Sequence, residues 1–116
     1  MNDLLAMLVE SRMPLDGIAA WGIRHGDGSI MHHSYAMWLS ASQIEQTVAR
    51  LALAADSLRY HELRPRRLCW VFAHLRLYVA LREDSAALVL FAENRTDQLL
   101  SQTQAVLDEF SLGAAN

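Results

Sequence analysis

Two periods of apolar residues divide the sequence into alternating helical and extended stretches. Over residues 3–12, Leu4, Leu5, Leu8 and Val9 recur on one helical side behind Asp3 as a cap, and Pro14-Leu15-Asp16-Gly17 ends the run. The pattern then becomes extended. Ile18-Ala19-Ala20-Trp21-Gly22-Ile23 has strand composition, His25-Gly26-Asp27-Gly28 supplies turn residues, and Ser29 to Tyr35 resumes an extended run, which together predict a β-hairpin. A helix follows: Ser40 or Ser42 can cap it, Gln43 or Glu45 can complete a capping box, and Ile44, Val48, Leu51, Ala52, Ala55 and Leu58 fall at helical spacing. Ala49, Leu53 and Ala54 carry the apolar surface further round this helix than one sheet requires, so a second contact is expected there.

After a polar connection over residues 61–67, three short apolar runs cover residues 68–73, 75–81 and 86–92. In the second of them Leu75, Leu77, Val79 and Leu81 alternate with Arg76, Tyr78, Ala80 and Arg82, the signature of a strand buried on one face. Leu88-Val89-Leu90-Phe91 is apolar throughout and suits a central strand covered on both faces. Asn94 or Thr96, with Asp97 in the first turn, opens a last helix whose Leu99, Leu100, Thr103, Val106, Leu107 and Phe110 share a side, and Gly113 is placed to stop it. The order is α-β-β-α-β-β-β-α. It predicts an α+β, sandwich-like fold in which helices cover a five-stranded, mainly antiparallel sheet, as one domain over residues 1–116.

Composition narrows the function more than the fold. At 116 residues and 13.0 kDa there is material for one core, and 53% hydrophobic with 20% charged residues is a globular balance. Ten Arg and no Lys face thirteen acids for a formal charge of -3, so the chain lacks the positive field of a nonspecific nucleic-acid binder. Leu4-Leu5-Ala6-Met7-Leu8-Val9 is too short to span a membrane and has no basic leader before it, so the chain reads as soluble and cytoplasmic.

Candidate chemistry is sparse, and no catalytic, cofactor-binding or metal residue is assigned. His61-Glu62 lacks the second histidine of a zinc-protease helix because position 65 is Pro, and Gly26 and Gly28 form no phosphate-binding fingerprint. His32 and His33 are adjacent on a strand and so point to opposite faces, which separates them as metal ligands. Asp27 between glycines reads as a turn former, and Cys69 inside an apolar run reads as a buried structural side chain. Arg59, Arg64, Arg66 and Arg67 make the one local basic patch, a solvated loop, a contact for an acidic partner surface or a contact for nucleic-acid phosphates, the last disfavoured by the acidic whole-chain balance and by Tyr60 being the one aromatic within residues 59–67. Trp70 and Phe72, two apart, project to one strand face, where they either complete the core or anchor a dimer seam.

The element order, the Gly17-Ile18 strand start, the His25-Gly26-Asp27-Gly28 turn, and the runs Leu77-Tyr78-Val79-Ala80-Leu81 and Ala86-Ala87-Leu88-Val89-Leu90-Phe91 resemble the Roadblock/LC7 family over roughly residues 3–111. The resemblance implies a profilin-like fold and a non-enzymatic homodimer that scaffolds or regulates a Ras-like small GTPase or another signalling partner, without a cofactor. It also implies pairing of the third strands across a two-fold axis with the second helices side by side. Those elements carry Ile44, Val48, Leu51, Ala52, Ala55, Trp70 and Phe72 as the expected dimer interface. The alternative is a small-ligand sensor with a profilin-like or PAS-like sheet, its pocket drawing on His32, His33 or Tyr35.

Overall fold

The computed structural model describes residues 3–60, 66–93 and 100–112. Its elements follow the expected order: α1 (Asp3–Glu10), β1 (Ile18–Arg24), β2 (Ile30–Ser34), α2 (Ala41–Tyr60), β3 (Arg67–Val71), β4 (Leu75–Leu81), β5 (Ala87–Glu93) and α3 (Leu100–Leu112). All strand pairs are antiparallel, in the spatial order β2-β1-β5-β4-β3. α2 lies on one face of the sheet, and α1 and α3 lie on the other.

Local chemistry fixes each boundary. In the β1–β2 turn, Asp27 Oδ1 accepts from the Ser29 backbone N–H at 2.9 Å and from its hydroxyl at 2.7 Å. Gly28 takes the left-handed conformation this turn needs, at φ 91°. At the start of α2, the Gln43 N–H donates to Ser40 Oγ at 3.2 Å while Gln43 Oε1 accepts from the Ser40 N–H at 2.8 Å, so the capping box uses Ser40 and Gln43 of the two pairs considered. Leu39, just before the cap, and Ile44 are buried in the same cluster, an apolar staple that sets the angle of entry. The expected caps Asn94 and Thr96, the first-turn Asp97, Leu99 and the stop at Gly113 lie outside the described residues.

Each face of the sheet has its own core. On one, Ile44, Val48 and Ala55 of α2 meet Leu77, Val79, Val89 and Phe91. On the other, Leu5, Ala6 and Val9 of α1 and Val106, Leu107 and Phe110 of α3 meet Trp21, Ile23, Tyr78, Leu88 and Leu90. β5 is buried from Ala87 to Ala92, as its unbroken apolar run predicts. β4 departs from the one-faced pattern: α3 covers Tyr78 and Ala80, so this strand is buried on both sides from Leu77 onward. Small and aromatic residues at alternate positions left that second covering unannounced.

Long-range ionic contacts tie the layers together. Arg24 reaches Asp56 of α2 through both terminal nitrogens, at 3.0 and 3.3 Å, and donates to the Ser85 carbonyl at 3.0 Å. Arg12, past the end of α1, grips Glu109 of α3 with two nitrogens. Buried Arg82 donates to the Phe110 carbonyl at 2.7 Å near the end of α3, where a cation offsets unpaired helix carbonyls, and its Nε meets Asp84 at 3.1 Å.

One close approach governs how α2 sits. A Cβ at Gly22 of β1 would lie 2.5 Å from Val48 Cγ2, inside any tolerable contact. Gly22→Ala is therefore expected to destabilise the protein by roughly 1–3 kcal/mol through overpacking. In a urea-unfolding double-mutant cycle, Gly22→Ala combined with Val48→Ala should be less destabilised than the sum of the single changes. Simple additivity would place the helix elsewhere.

Candidate functional site

β3 is an edge strand and the most exposed of the five. Its hydrogen bonds to β4 can be followed from the ends: the Leu81 N–H donates to the Arg66 carbonyl, and the Phe72 N–H to the Leu75 carbonyl. The antiparallel alternation between them directs Leu68 and Trp70 toward β4 and turns the backbone groups of Arg67, Cys69 and Val71 outward. Such an edge is a template for another strand unless prolines, charges or bulges blunt it. Here Val71 is 64% exposed, no proline interrupts the strand, and the one charged side chain, Arg67, is drawn onto α3 by Asp108 at 2.7 Å and Ser111 at 2.6 Å.

The flank of β3 that faces α2 is apolar and half covered. Leu68 and Trp70 pack partly against the α2-side core, Phe72 is 51% exposed, and Leu53 of α2 is 67% exposed. Beside them an open groove of about 550 Å³ runs between the Trp38-Leu39 segment, one side of α2 (Gln43, Gln46, Thr47, Arg50) and the β3–β4 turn (Phe72, Ala73, His74). Leu75, Leu77 and Phe91 line its sheet side.

The seven residues expected at a dimer interface divide sharply. Ile44, Val48, Ala52 and Ala55 are at most 2% exposed and belong to the protomer's own core. Leu51 is half-buried, as is Trp70, and Phe72 is open. Phe72 stands just past the strand, because β3 stops at Val71 and a tight bend at Ala73-His74 returns the chain into β4. The exposed apolar residues beside them are Leu53 and Val71, with Trp38 in front of the helix; Leu53 was marked by the breadth of the apolar helix surface, whereas nothing in the pattern singled out Trp38 or Val71.

The basic patch is also divided. Arg66 is exposed, and Arg67 is committed to Asp108 and Ser111. The Arg59 side chain and Arg64 lie outside the described residues. Cys69 overturns the expectation of burial: its side chain is exposed, because it projects from the edge strand on the α1–α3 side, whose buried cluster includes no residue of β3. His32 and His33 part as the strand period requires. His32 Nε2 meets Glu45 Oε1 of α2 at 2.9 Å, while exposed His33 stacks at a tilt on Tyr35, ring centroids 4.6 Å apart. Tyr35 in turn accepts from the Trp21 indole at 3.3 Å. None of His32, His33 and Tyr35 lines the groove, and no cluster of three metal-ligating side chains occurs among the described residues.

A five-stranded antiparallel sheet in this order, with one long helix on one face and a pair on the other, is the Roadblock/LC7 fold, and this chain has it. Its structure is similar to that of the gliding protein MglB from Thermus thermophilus, with a TM-score of 0.66 and 19% identity over 94% of this chain and 84% of that one. It is similar to an MglB in a tetrameric arrangement (TM-score 0.66, 18% identity, 94% and 83% covered) and to a Roadblock/LC7 domain from Streptomyces avermitilis (TM-score 0.57, 18% identity, 97% and 88% covered). No family model matches the sequence, and no curated protein matches it.

The exposed thiol gives a direct check on the geometry of the edge. In dilute native protein a maleimide is expected to modify Cys69 at a rate comparable to that in the urea-unfolded chain. Modification only after unfolding would mean that β3 is covered on the side assigned here to solvent.

Proposed function

We propose that this chain is a non-enzymatic regulatory or scaffold domain that works as a homodimer and presents a composite surface to a Ras-like small GTPase or another signalling protein. The observation that carries the reading is the unblunted β3 edge, with outward backbone groups at Arg67, Cys69 and Val71 and apolar flanks at Trp70, Phe72 and Leu53. Joining two such edges antiparallel about a two-fold axis satisfies the free N–H and C=O groups of both copies and extends the sheet across the pair. The same step brings the exposed sides of the two α2 helices into reach of each other, which accounts for an apolar surface wider than one sheet can cover.

The shared fold with MglB, and the tetrameric arrangement of one of its structures, support a self-associating regulator. A dimer of this kind acts by binding one conformation of its partner more tightly than another, and any change in nucleotide turnover is then exerted at the partner's own site. No helix among the described residues is long and apolar enough to cross a membrane.

The burial data choose the variants for the test. Leu53→Glu and Val71→Lys change exposed positions, so each should alter protomer stability by no more than about 0.5 kcal/mol. Each should also weaken self-association, because a charge must be desolvated in the seam. Sedimentation across the micromolar range is expected to give roughly twice 13.0 kDa for the natural chain and a shift toward monomer for the variants, with unchanged circular dichroism. A natural chain that stays monomeric throughout, or variants that dimerise undiminished, would sink the proposed assembly.

A further inference from the structure

The sheet has a second edge, and the assembly proposed above leaves it open. β2 lies at the far end from β3, with β1, β5 and β4 between them. Its ladder to β1 can be followed from both ends: the His25 N–H donates to the Ser29 carbonyl and the Tyr35 N–H to the Ala19 carbonyl, each at 2.8 Å, in one unbroken register. Antiparallel alternation therefore commits the backbone of Met31 and His33 to β1 and turns the N–H and C=O groups of Ile30, His32 and Ser34 outward. No proline, lysine, arginine or bulge blunts this strand. What such a row of peptide groups recognises in register is another extended chain.

The two flanks of the edge differ in chemistry. On the α1–α3 side Met31 packs partly on the core, His33 is exposed, and Tyr35, 41% exposed, lies tilted against the His33 ring while its hydroxyl accepts from the Trp21 indole. That flank is ring and thioether surface. On the α2 side Ile30 packs on the core and His32 meets Glu45, whose side chain is 55% exposed. Glu45 Oε1 takes the imidazole, and the carboxylate has no other hydrogen bond or ion pair with a described residue. Asp56, the next acid along α2, is held by both terminal nitrogens of Arg24. Glu45 is thus the acid left to act outward from this edge.

We propose that β2 receives an extended segment of a partner protein as an added strand, with a lysine or arginine of that segment on Glu45 and an adjacent apolar side chain across Met31, His33 and Tyr35. Successive residues of a strand point to opposite faces, so the basic and the apolar residue stand next to each other in the segment. A second copy of this chain fits the edge less well. Pairing β2 with β2 about a two-fold axis puts both α2 helices on one face and turns each Glu45 toward its equal across the junction, where like charges oppose pairing. β3 carries no acid, and the two edges differ in this respect. The inference rests on the proposed dimer only in taking β3 to be occupied, which makes β2 the edge left to a partner.

The test uses the full chain as bait for a library of random short peptides displayed on phage. Enriched peptides are expected to set Lys or Arg beside Val, Ile, Phe or Tyr. Bound to isotope-labelled protein, they should slow hydrogen exchange at the outward amides of Ile30 and His32 and leave those of Met31 and His33, already bonded to β1, little changed. Replacing the basic residue of an enriched peptide by Gln should weaken it about twofold to fivefold, the scale of one exposed ion pair. Glu45→Gln, which keeps an acceptor for His32, should remove that difference. His32→Pro deletes an outward N–H where an edge strand tolerates proline, and it should abolish binding with circular dichroism unchanged. If that variant loses its fold, the Glu45→Gln comparison carries the test by itself.

Failure to enrich any peptide, enrichment without basic residues, or protection at residues 67–71 in place of Ile30 and His32 would overturn the proposal. So would a basic preference that survives Glu45→Gln, binding undiminished in a folded His32→Pro chain, or protection of Ile30 and His32 that rises with protein concentration alone. Sedimentation of the same samples separates this idea from the dimer: a monomer that keeps the protection at Ile30 and His32 removes only the assembly, and a dimer with a silent β2 edge removes only the added strand.

Discussion

The contact between Gly22 and Val48 decides where α2 can lie, and the exposed side of the molecule follows from it. With no side chain at Gly22, the helix comes down onto β1 close enough that a methyl group would stand 2.5 Å from Val48 Cγ2. Ile44, Val48 and Ala55 then fill the space above the β1, β5 and β4 strands. A helix of ordinary width, about 10–12 Å across, cannot also cover the far edge of a five-stranded sheet whose strands are spaced about 4.8 Å apart. Leu68 and Trp70 are left half covered, and the groove opens beside them. The candidate surface is thus the complement of a packing choice made at the other end of the sheet.

The opposite face reaches the same result by a different route. α1 and α3 divide that face between them, clamped by Arg12 on Glu109 and by Arg82 on the last turn of α3. Their apolar sides meet β1, β5 and β4, and the nearest tie to β3 is the Arg67 side chain stretching to Asp108 and Ser111. This ion pair is largely solvated, so it is worth about 0–1 kcal/mol and acts mainly by drawing the one charge on β3 away from its free edge. β3 is therefore open on its edge and thinly covered on both faces, and the exposure of Cys69 and Val71 has the same cause as the half-burial of Trp70.

The legible parts of the sequence were those with a local signal. Leu88-Val89-Leu90-Phe91 marked the central strand because a run apolar at every position leaves no face for water, and Ser40 with Gln43 marked the start of α2 because a capping box is complete within four residues. Cys69 was misread because residues 68–73 carry the same apolar run whether the strand is central or at an edge. Position in the sheet is set by partners far away in the chain. For the same reason Ile44, Val48, Ala52 and Ala55, expected at the dimer interface, could be placed on a helix while the side of it that packs on the protomer's own sheet could not be told. The groove depends on Trp38, Arg50 and the residue 72–75 turn, three segments that come together only once the sheet order is known.

The ionisable groups are distributed unevenly between the body of the fold and the β3 side. Arg12, Arg24, Arg67 and Arg82 each hold a carboxylate, and His32 meets another, so these charges join elements of the fold. The β3 side offers instead outward peptide groups, aromatic area at Trp38, Trp70 and Phe72, and the Arg50 cation, unpaired among the described residues. Peptide groups along a strand give a partner register, apolar anchors give it affinity, and a rim charge discriminates among partners. The first of these is self-complementary and the last is not.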